Sequence, residues 1–387
     1  MPSSPSLLHG PERLRLARAM PALRERITRD AHAYYRFTTP GFASAVCSEL
    51  ASTYRLWPIV NLHGDAHLEQ FAVTADGSGL ADFDYGTLGP APLDLLRFAV
   101  SIRLAAHDRR LEPRAAIAAL LGGYRAGLSG QAPPPEPTIA TLLRTQLPDR
   151  PAFLAKVEAS LDPVPDTLRA EVDTAVSRLL TQLGNKYPEL GAGFFRARSV
   201  GIPNRTAIGG LPQRRFLVRI EGPTKALHDD VVLEGKELAA LHETPCVQPL
   251  GGAMRVLISR ARLGLASTTR FLAVVERSPD LPYDAPPSWV QEWRHDYREL
   301  QIADLRSQQD LVAIASRVGF DLGRGHPAYV GSPLDAELKR VQRRTLDEFE
   351  PELYRAIDAL YQRTIDSWQA LRRELAKDAP VPVRAPN

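Results

Sequence analysis

An α+β fold in two modules is the architecture this sequence predicts. The chain has 387 residues, more than one hydrophobic core of roughly 100–200 residues usually organises. A hydrophobic share of 44% and a charged share of 24% supply apolar side chains for a sizeable core and too little charge for a disordered chain. Between about Arg198 and Glu276, β-rich runs separated by Gly and Pro interrupt a sequence that is otherwise helical in its periodicity.

From Pro11 to Asp30, Leu14, Leu16, Met20, Leu23 and Ile27 recur among arginines at helical spacing, and Pro21 divides the stretch. Phe42 to Leu56 is a second apolar helical stretch that stops before Trp57-Pro58, after which Ile59-Val60-Asn61-Leu62 reads as a short buried strand. Phe71–Thr74 and Leu80–Phe83 flank the turn Asp76-Gly77-Ser78-Gly79 as a hairpin. Leu93 to His107 is apolar on most sides, as a buried helix is, and Ala115 to Leu128 continues helical up to the linker-like Gly130–Pro137. Asp166 to Leu183 is helical. Phe216–Ile220, Val231–Leu233, Arg255–Ile258 and Phe271–Val275 then read as strands of an antiparallel sheet. After Ser288 the helical pattern returns, clearest over Asp310–Leu322 and Leu334–Leu375, ahead of a proline-rich tail. The expected modules are therefore residues 1–195, helical; 196–285, β-rich; and 286–387, helices that pack back on the first lobe. Thirty-three prolines, against a usual ~5%, suit the long connections this requires.

Lys and Arg number 48 against 45 Asp and Glu, a surplus too small to call for a nucleic-acid partner. No apolar stretch approaches the ~18 residues a bilayer span needs, and Glu12 and Arg13 bring charge before any signal-type core. A cytoplasmic protein with no membrane partner is expected. Cys47 and Cys246, the two cysteines, lack C-x-x-C spacing and read as buried thiols of a reducing compartment. Nothing in the sequence speaks to oligomeric state.

The densest polar cluster in an apolar setting is His63-Gly64-Asp65-Ala66-His67-Leu68-Glu69-Gln70, followed by Ala81-Asp82-Phe83-Asp84-Tyr85-Gly86. Carboxylates at the ends of buried strands are costly unless they bind a metal, accept a proton or cap a turn. Phosphoryl transfer uses this arrangement: one Asp beside the acceptor hydroxyl, an amide five residues on, and an Asp on the next hairpin that holds Mg²⁺ against the phosphates. Asp65, Gln70 and Asp82 have that spacing. His67 joins Asp65 as a candidate catalytic residue, and Asp84 joins Asp82 and Gln70 as a candidate metal ligand.

The segment resembles the catalytic loop of aminoglycoside-phosphotransferase-like kinases, with His63, Gly64, Asp65, Gln70, Asp82, Phe83, Gly89, Pro90, Asp94 and Leu95 at the corresponding positions. It resembles more closely the uncharacterised bacterial domain-of-unknown-function family 2252, through Gly64, Asp65, His67, Phe71, Asp82, Phe83, Asp84, Gly89, Pro90, Asp94, Arg97 and Ser101. That likeness reaches from the N-terminal helices to about Glu350. Gln70 stands where Asn is usual, Ala81 where Asn precedes the Asp-Phe-Asp, and Tyr85 where an acidic residue follows it. The second half resembles the same family in Gly209-Gly210 before Arg215-Phe216, although Pro212 replaces a usual glycine, and in Lys236-Glu237.

The resemblance implies a protein-kinase-like two-lobed fold that is circularly permuted, with the catalytic loop first and the nucleotide-covering sheet afterwards. It also implies ATP and Mg²⁺ as cofactors, Gly209, Gly210 and Lys236 as cofactor-binding residues, and an unidentified hydroxyl-bearing small molecule or protein as acceptor. Gln70 and Pro212 keep a nucleotide-binding pseudokinase or regulatory protein as an alternative. His63-x-Asp65-x-His67 with Asp82 and Asp84 also suits a Zn²⁺- or Mn²⁺-dependent hydrolase, without a further ligand-spaced histidine pair. Asp94 and Arg97, three apart on one helix face, are expected to pair beneath the loop, with Asp94 fixing it structurally. His326 is expected to satisfy a backbone carbonyl at a helix end.

Overall fold

Pro21 divides the N-terminal helical stretch: α1 (Pro11–Ala19) ends at Met20, and α2 (Pro21–Arg29) starts with the proline in its first turn. The computed structural model describes residues 8–191, 193–203, 215–238, 241, 244–248, 252, 254–265, 270–275, 288–328 and 334–377. After α3 (Ala31–Phe37) and α4 (Thr39–Glu49) come β1 (Ile59–Leu62), β2 (Phe71–Thr74), β3 (Ser78–Leu80) and β4 (Thr87–Pro90). β1 and β4 pair antiparallel, Leu62 opposite Thr87, so the stretch from His63 to Gly86, with the β2–β3 hairpin inside it, is an excursion closed at its base by two strands. The helices α5 (Pro92–Arg109), α6 (Pro113–Leu128), α7 (Thr138–Arg144), α8 (Arg150–Ala159) and, beyond β5 (Leu161–Pro163), α9 (Asp166–Lys186) follow.

A six-stranded antiparallel sheet is built from β5, β6 (Ala197–Pro203), β7 (Arg215–Ile220), β8 (Val231–Glu237), β9 (Ala273–Val275) and β10 (Ser288–Glu292), in the spatial order β5-β6-β7-β8-β10-β9. Helix α10 (Met254–Leu263) joins β8 to β9. Side-chain alternation separates the two faces of this sheet. Val218, Ile220, Val231, Leu233 and Val290 pack with Val176, Leu179 and Leu183 of α9. Leu217 and Val232 pack on the opposite face with Phe153, Leu154 and Val157 of α8. By the same alternation Arg215, Glu234, Lys236, Trp289 and Gln291 belong to this second face. The chain then passes through β11 (Tyr297–Glu299), which pairs with β2, to α11 (Gln308–Gly325) and α12 (Leu334–Lys377).

The mixed α+β class and the antiparallel sheet agree with the sequence reading, and several local expectations do not. Arg255–Ile258, expected as a strand, is the start of α10: Arg255, Val256, Ser259 and Leu263 are its buried positions, a helical spacing hidden by the β-branched Val256 and Ile258. The expected helical return after Ser288 is delayed by β10 and β11. Strand β3 ends at Leu80, and Asp82 adopts φ 59, which no continuing strand allows. Cys47 and Cys246, expected as separate thiols, are joined as a disulfide across 199 positions, which removes the cysteine argument for a reducing compartment. Among the described residues, no helix is long and apolar enough to cross a membrane.

The helical lobe is centred on α5, buried from Pro92 through Ile102. Beside it α6 and α11 meet at backbone distance: a Cβ on Gly123 would lie 2.2 Å from the Ser316 carbonyl oxygen, whereas one on Gly122 would meet nothing within 4 Å. These adjacent glycines should respond oppositely. Gly123→Ala is expected to destabilise the fold by about 2–3 kcal/mol through overpacking. Gly122→Ala should stabilise it by about 0.5–1 kcal/mol through helix propensity. Chemical denaturation of the two variants checks the pair.

Candidate functional site

Three side chains on one face of α5, Asp94, Arg97 and Ser101, hold successive parts of the loop after β1. The Asp94 carboxylate accepts the backbone N–H of His63 at 2.7 Å and of Gly64 at 2.9 Å. Arg97 donates to Asp65 Oδ1 from Nε at 3.0 Å and from Nη2 at 2.8 Å, while its guanidinium lies 3.8 Å from the centroid of the Tyr35 ring. The Ser101 hydroxyl accepts the Leu68 N–H at 3.0 Å. Asp94 thus fixes the loop as expected, but Arg97 pairs with Asp65 and not with Asp94. His326 also differs from expectation: Nε2 meets Asp94 Oδ2 at 3.1 Å and Nδ1 meets the Tyr124 hydroxyl at 2.9 Å.

This loop is fastened to the Asp-Phe-Asp segment. Gly64 has φ 81 and approaches Tyr85 so closely that a Cβ there would lie 2.1 Å from its carbonyl oxygen, so only glycine fits. His63 Nε2 reaches the Ala81 carbonyl at 2.8 Å and its ring packs 4.5 Å from that of Phe83. The Gln70 carbonyl accepts the Ala81 N–H at 2.9 Å, which sets Gln70 next to the chain entering Asp82.

Lys236, 154 positions away in sequence, donates from Nζ to Asp82 Oδ1 at 2.9 Å. The same ammonium lies 3.6 Å from Asp84 Oδ2 and 3.6 Å from Glu234 Oε2. Burial works against its charge, and the charges of Asp82, Asp84 and Glu234 more than offset this, holding it above the ordinary lysine range. Burial alone would likewise raise Asp82, yet Lys236 and Arg215 hold it well below the usual carboxylate range. Asp84 goes the other way, pushed up to about 7 by burial and by the charge of Asp82. Trp289 Nε1 donates to Asp84 Oδ1 at 2.9 Å and fixes its orientation. Asp82 keeps 31% of its side chain exposed, so the ion pair borders open space. Arg215, Arg260, Tyr297 and Glu299 lie around it, within electrostatic reach of Asp82.

The structure therefore brings Asp82, Asp84 and Lys236 into one cluster with Gln70 adjoining through its backbone. Asp65 and His67 lie deeper, 4% and 1% exposed, with His67 Nε2 3.8 Å from Asp65 Oδ2. Gly209, Gly210 and Pro212 fall outside the described residues. Two carboxylates already sharing one cation form a donor set that suits Mg²⁺, which is commonly held by one or two carboxylates and substrate phosphates. Among the described residues no three His, Cys, Asp or Glu side chains gather as a ready-made metal site. Sequence reasoning missed Glu234, whose spacing of two from Lys236 on one strand was the available signal, and Arg36, His32 and Trp289, which carried none.

Fold and cluster together define a mixed α+β protein in which a buried ion-pair cluster joins the segment after β3 to strand β8 of the antiparallel sheet. The family model described as an uncharacterized protein conserved in bacteria (DUF2252) matches residues 15–141. That span covers the loop, Asp82, Asp84 and the Asp94 helix, and stops before Lys236. No curated protein and no solved structure matches the chain.

Next to Asp65 lies a second buried ion pair, Arg36 Nη1 with Glu69 Oε2 at 2.8 Å, and His32 Nε2 approaches the same oxygen at 3.5 Å. Burial raises the Glu69 carboxyl, but His32, Arg36 and the Ile302 N–H outweigh it and hold it at about 2, below its ordinary 4.5. The unfolded chain then binds the extra proton between about pH 4.5 and about pH 2, so the stabilisation is complete above this window and lost as the pH falls through it. Glu69→Gln should cost about 2–3 kcal/mol at pH 7, with wild type and variant converging near pH 2 in urea unfolding at a series of pH values.

Proposed function

We propose that this protein is a kinase-like phosphotransferase that uses ATP and Mg²⁺ to phosphorylate a hydroxyl acceptor, on a circularly permuted two-lobed fold. The observation that carries this reading is the Lys236–Asp82 contact at 2.9 Å, which joins the sheet to the catalytic-loop segment. In kinases the phosphate-binding lysine lies on the third strand of the nucleotide-covering sheet and a helix follows it. Lys236 lies on β8, the strand after the β6–β7 hairpin, and α10 follows. The chain order, loop first and sheet second, is tolerable because packed layers do not depend on where a chain begins.

In this reading Asp82 and Asp84 hold the metal, which neutralises charge on the transferring phosphate. Lys236 then exchanges its carboxylate partner for phosphate oxygens. Asp65 serves as the group that orients and deprotonates the acceptor, with Arg97 and Thr39 fixing it through hydrogen bonds at 2.8 and 3.1 Å. Burial raises the Asp65 carboxyl even against the Arg97 charge, in the direction a general base needs. The enclosure of Asp65 also favours a second reading, nucleotide binding without turnover.

Calorimetric titration with ATP, with and without Mg²⁺, followed by a screen of hydroxyl acceptors, tests the proposal. Asp82→Asn should abolish the Mg²⁺-dependent gain in ATP affinity, about tenfold or more. It should leave the melting temperature nearly unchanged, because Asp84, freed from its neighbour's charge, ionises and takes over Lys236. Gln70→Asn, which shortens the amide by one methylene, should raise turnover in an active enzyme. Equal ATP binding without turnover by wild type and Gln70→Asn selects the binding-only reading, and absence of nucleotide binding removes both.

A further inference from the structure

The helix that follows the Lys236 strand offers that lysine no carboxylate: from Met254 to Leu263 the charged residues of α10 are Arg255, Arg260 and Arg262. Arg255 turns to the backbone carbonyls of Asp84 and Gly86. Arg260 has a different setting. Its Nη1 donates to Gln291 Oε1 at 2.5 Å, a neutral amide, and among the described residues it has no carboxylate within ion-pair distance. The nearby acids are already engaged, Glu234 by Arg215 and Lys236, and Asp82 by Lys236.

Gln291 is itself pinned, since its Nε2 donates to Glu234 Oε2 at 3.1 Å, which leaves its oxygen to orient the guanidinium. Both cations approach the Trp289 ring, Lys236 Nζ at 5.7 Å and Arg260 Cζ at 5.9 Å from its centroid. Arg215 lies directly opposite Lys236 across β7 and β8. A half-buried guanidinium with no carboxylate at ion-pair distance is poorly compensated, and burial, only partly offset by the more distant charges of Asp82, Glu234 and Asp84, lowers the Arg260 pKa to about 10. Such a group is completed by an anion, and a planar guanidinium matches phosphate oxygens in particular.

We infer that Arg260 is a phosphate-binding residue of the cleft: held by Gln291, it takes non-bridging oxygens of the nucleotide's phosphate chain beside Lys236. The inference rests on the phosphotransferase reading. It turns the usual arrangement around, since the helix beside the lysine supplies a second cation for the ligand and the lysine's resting partners come from Asp82, Asp84 and Glu234.

Three probes titrated into the full chain without Mg²⁺ test it: tripolyphosphate, ATP and adenosine. Arg260→Gln should weaken tripolyphosphate and ATP by about tenfold to a hundredfold, and Arg260→Lys should recover part of the loss. Adenosine binding should be unchanged, and the ligand-free melting temperature should hold or rise as a partly buried cation without an ion-pair partner is removed. If wild type and Arg260→Gln bind ATP equally, the inference fails and the nucleotide reading stands. An equal loss of adenosine binding, or a fall in melting temperature that Arg260→Lys does not repair, marks Arg260 as a packing residue and also overturns it. If tripolyphosphate binds through Arg260 but adenosine adds nothing to ATP, the anion site stands and the nucleotide reading falls. Silence of the wild type toward all three probes overturns both.

Discussion

The buried carboxylate of Asp94 accepts two consecutive backbone N–H groups, those of His63 and Gly64, and the oxygen that takes the His63 N–H, Oδ2, also meets the ring of His326. Three distant parts of the chain are located by that one group. With the loop held there, Gly64 comes to rest on Tyr85, His63 reaches the Ala81 carbonyl, and the backbone at Asp82 turns into its left-handed conformation. A non-glycine residue held at positive φ is retained where surrounding contacts over-determine it, and here those contacts begin at Asp94. His326 is in turn fixed through Tyr124 of α6, whose hydroxyl receives Gln342 of α12 at 3.1 Å. Packing between α6 and α12 therefore bears on where the Asp82 carboxylate stands.

Around Asp82 the charges come in opposed sets. Lys236 and Arg215 pair with Asp82, Asp84 and Glu234 in a mostly buried region, and Arg260 stands near them with no ion-pair partner among the described residues. In such surroundings each pairing weighs more than at a surface, and an unmatched group costs more. Burial and the charge of Asp82 consequently raise the Asp84 carboxyl, while Lys236 favours the ionised form of Asp82. The two carboxylates differ because Asp82 meets Lys236 at hydrogen-bond distance, whereas Asp84, 3.6 Å from that ammonium, is raised by burial and by the charge of Asp82.

Much of this was legible where the signal is local. The loop motif, the Asp-Phe-Asp motif and the helix carrying Asp94, Arg97 and Ser101 lie within forty residues of each other, and their spacing was enough to put them in one site. Partner choice was not legible. Asp94 and Arg97 share a helix face, yet α5 is buried on nearly every side, so proximity along the helix did not decide which groups each would meet. Helix α10 was misread because Val256-Leu257-Ile258 has strong β character, and its helical pattern emerges only once Arg255 is counted as an inward-facing residue. Arg260 was lost with it. No local pattern could pair Cys47 with Cys246, since 199 positions of folded chain decide that distance.

That bond has a topological consequence. It makes a covalent ring of everything from α4 to the segment before α10, enclosing the loop, β5 to β8 and Lys236. A protease that cuts any peptide bond inside the ring opens it without releasing a fragment, and the nicked molecule keeps its full mass until a reductant is added. The N-terminal helices and the α10-to-α12 portion hang from this ring as two tails, so the lobe carrying Asp82 and the strand carrying Lys236 stay linked through two routes along the chain.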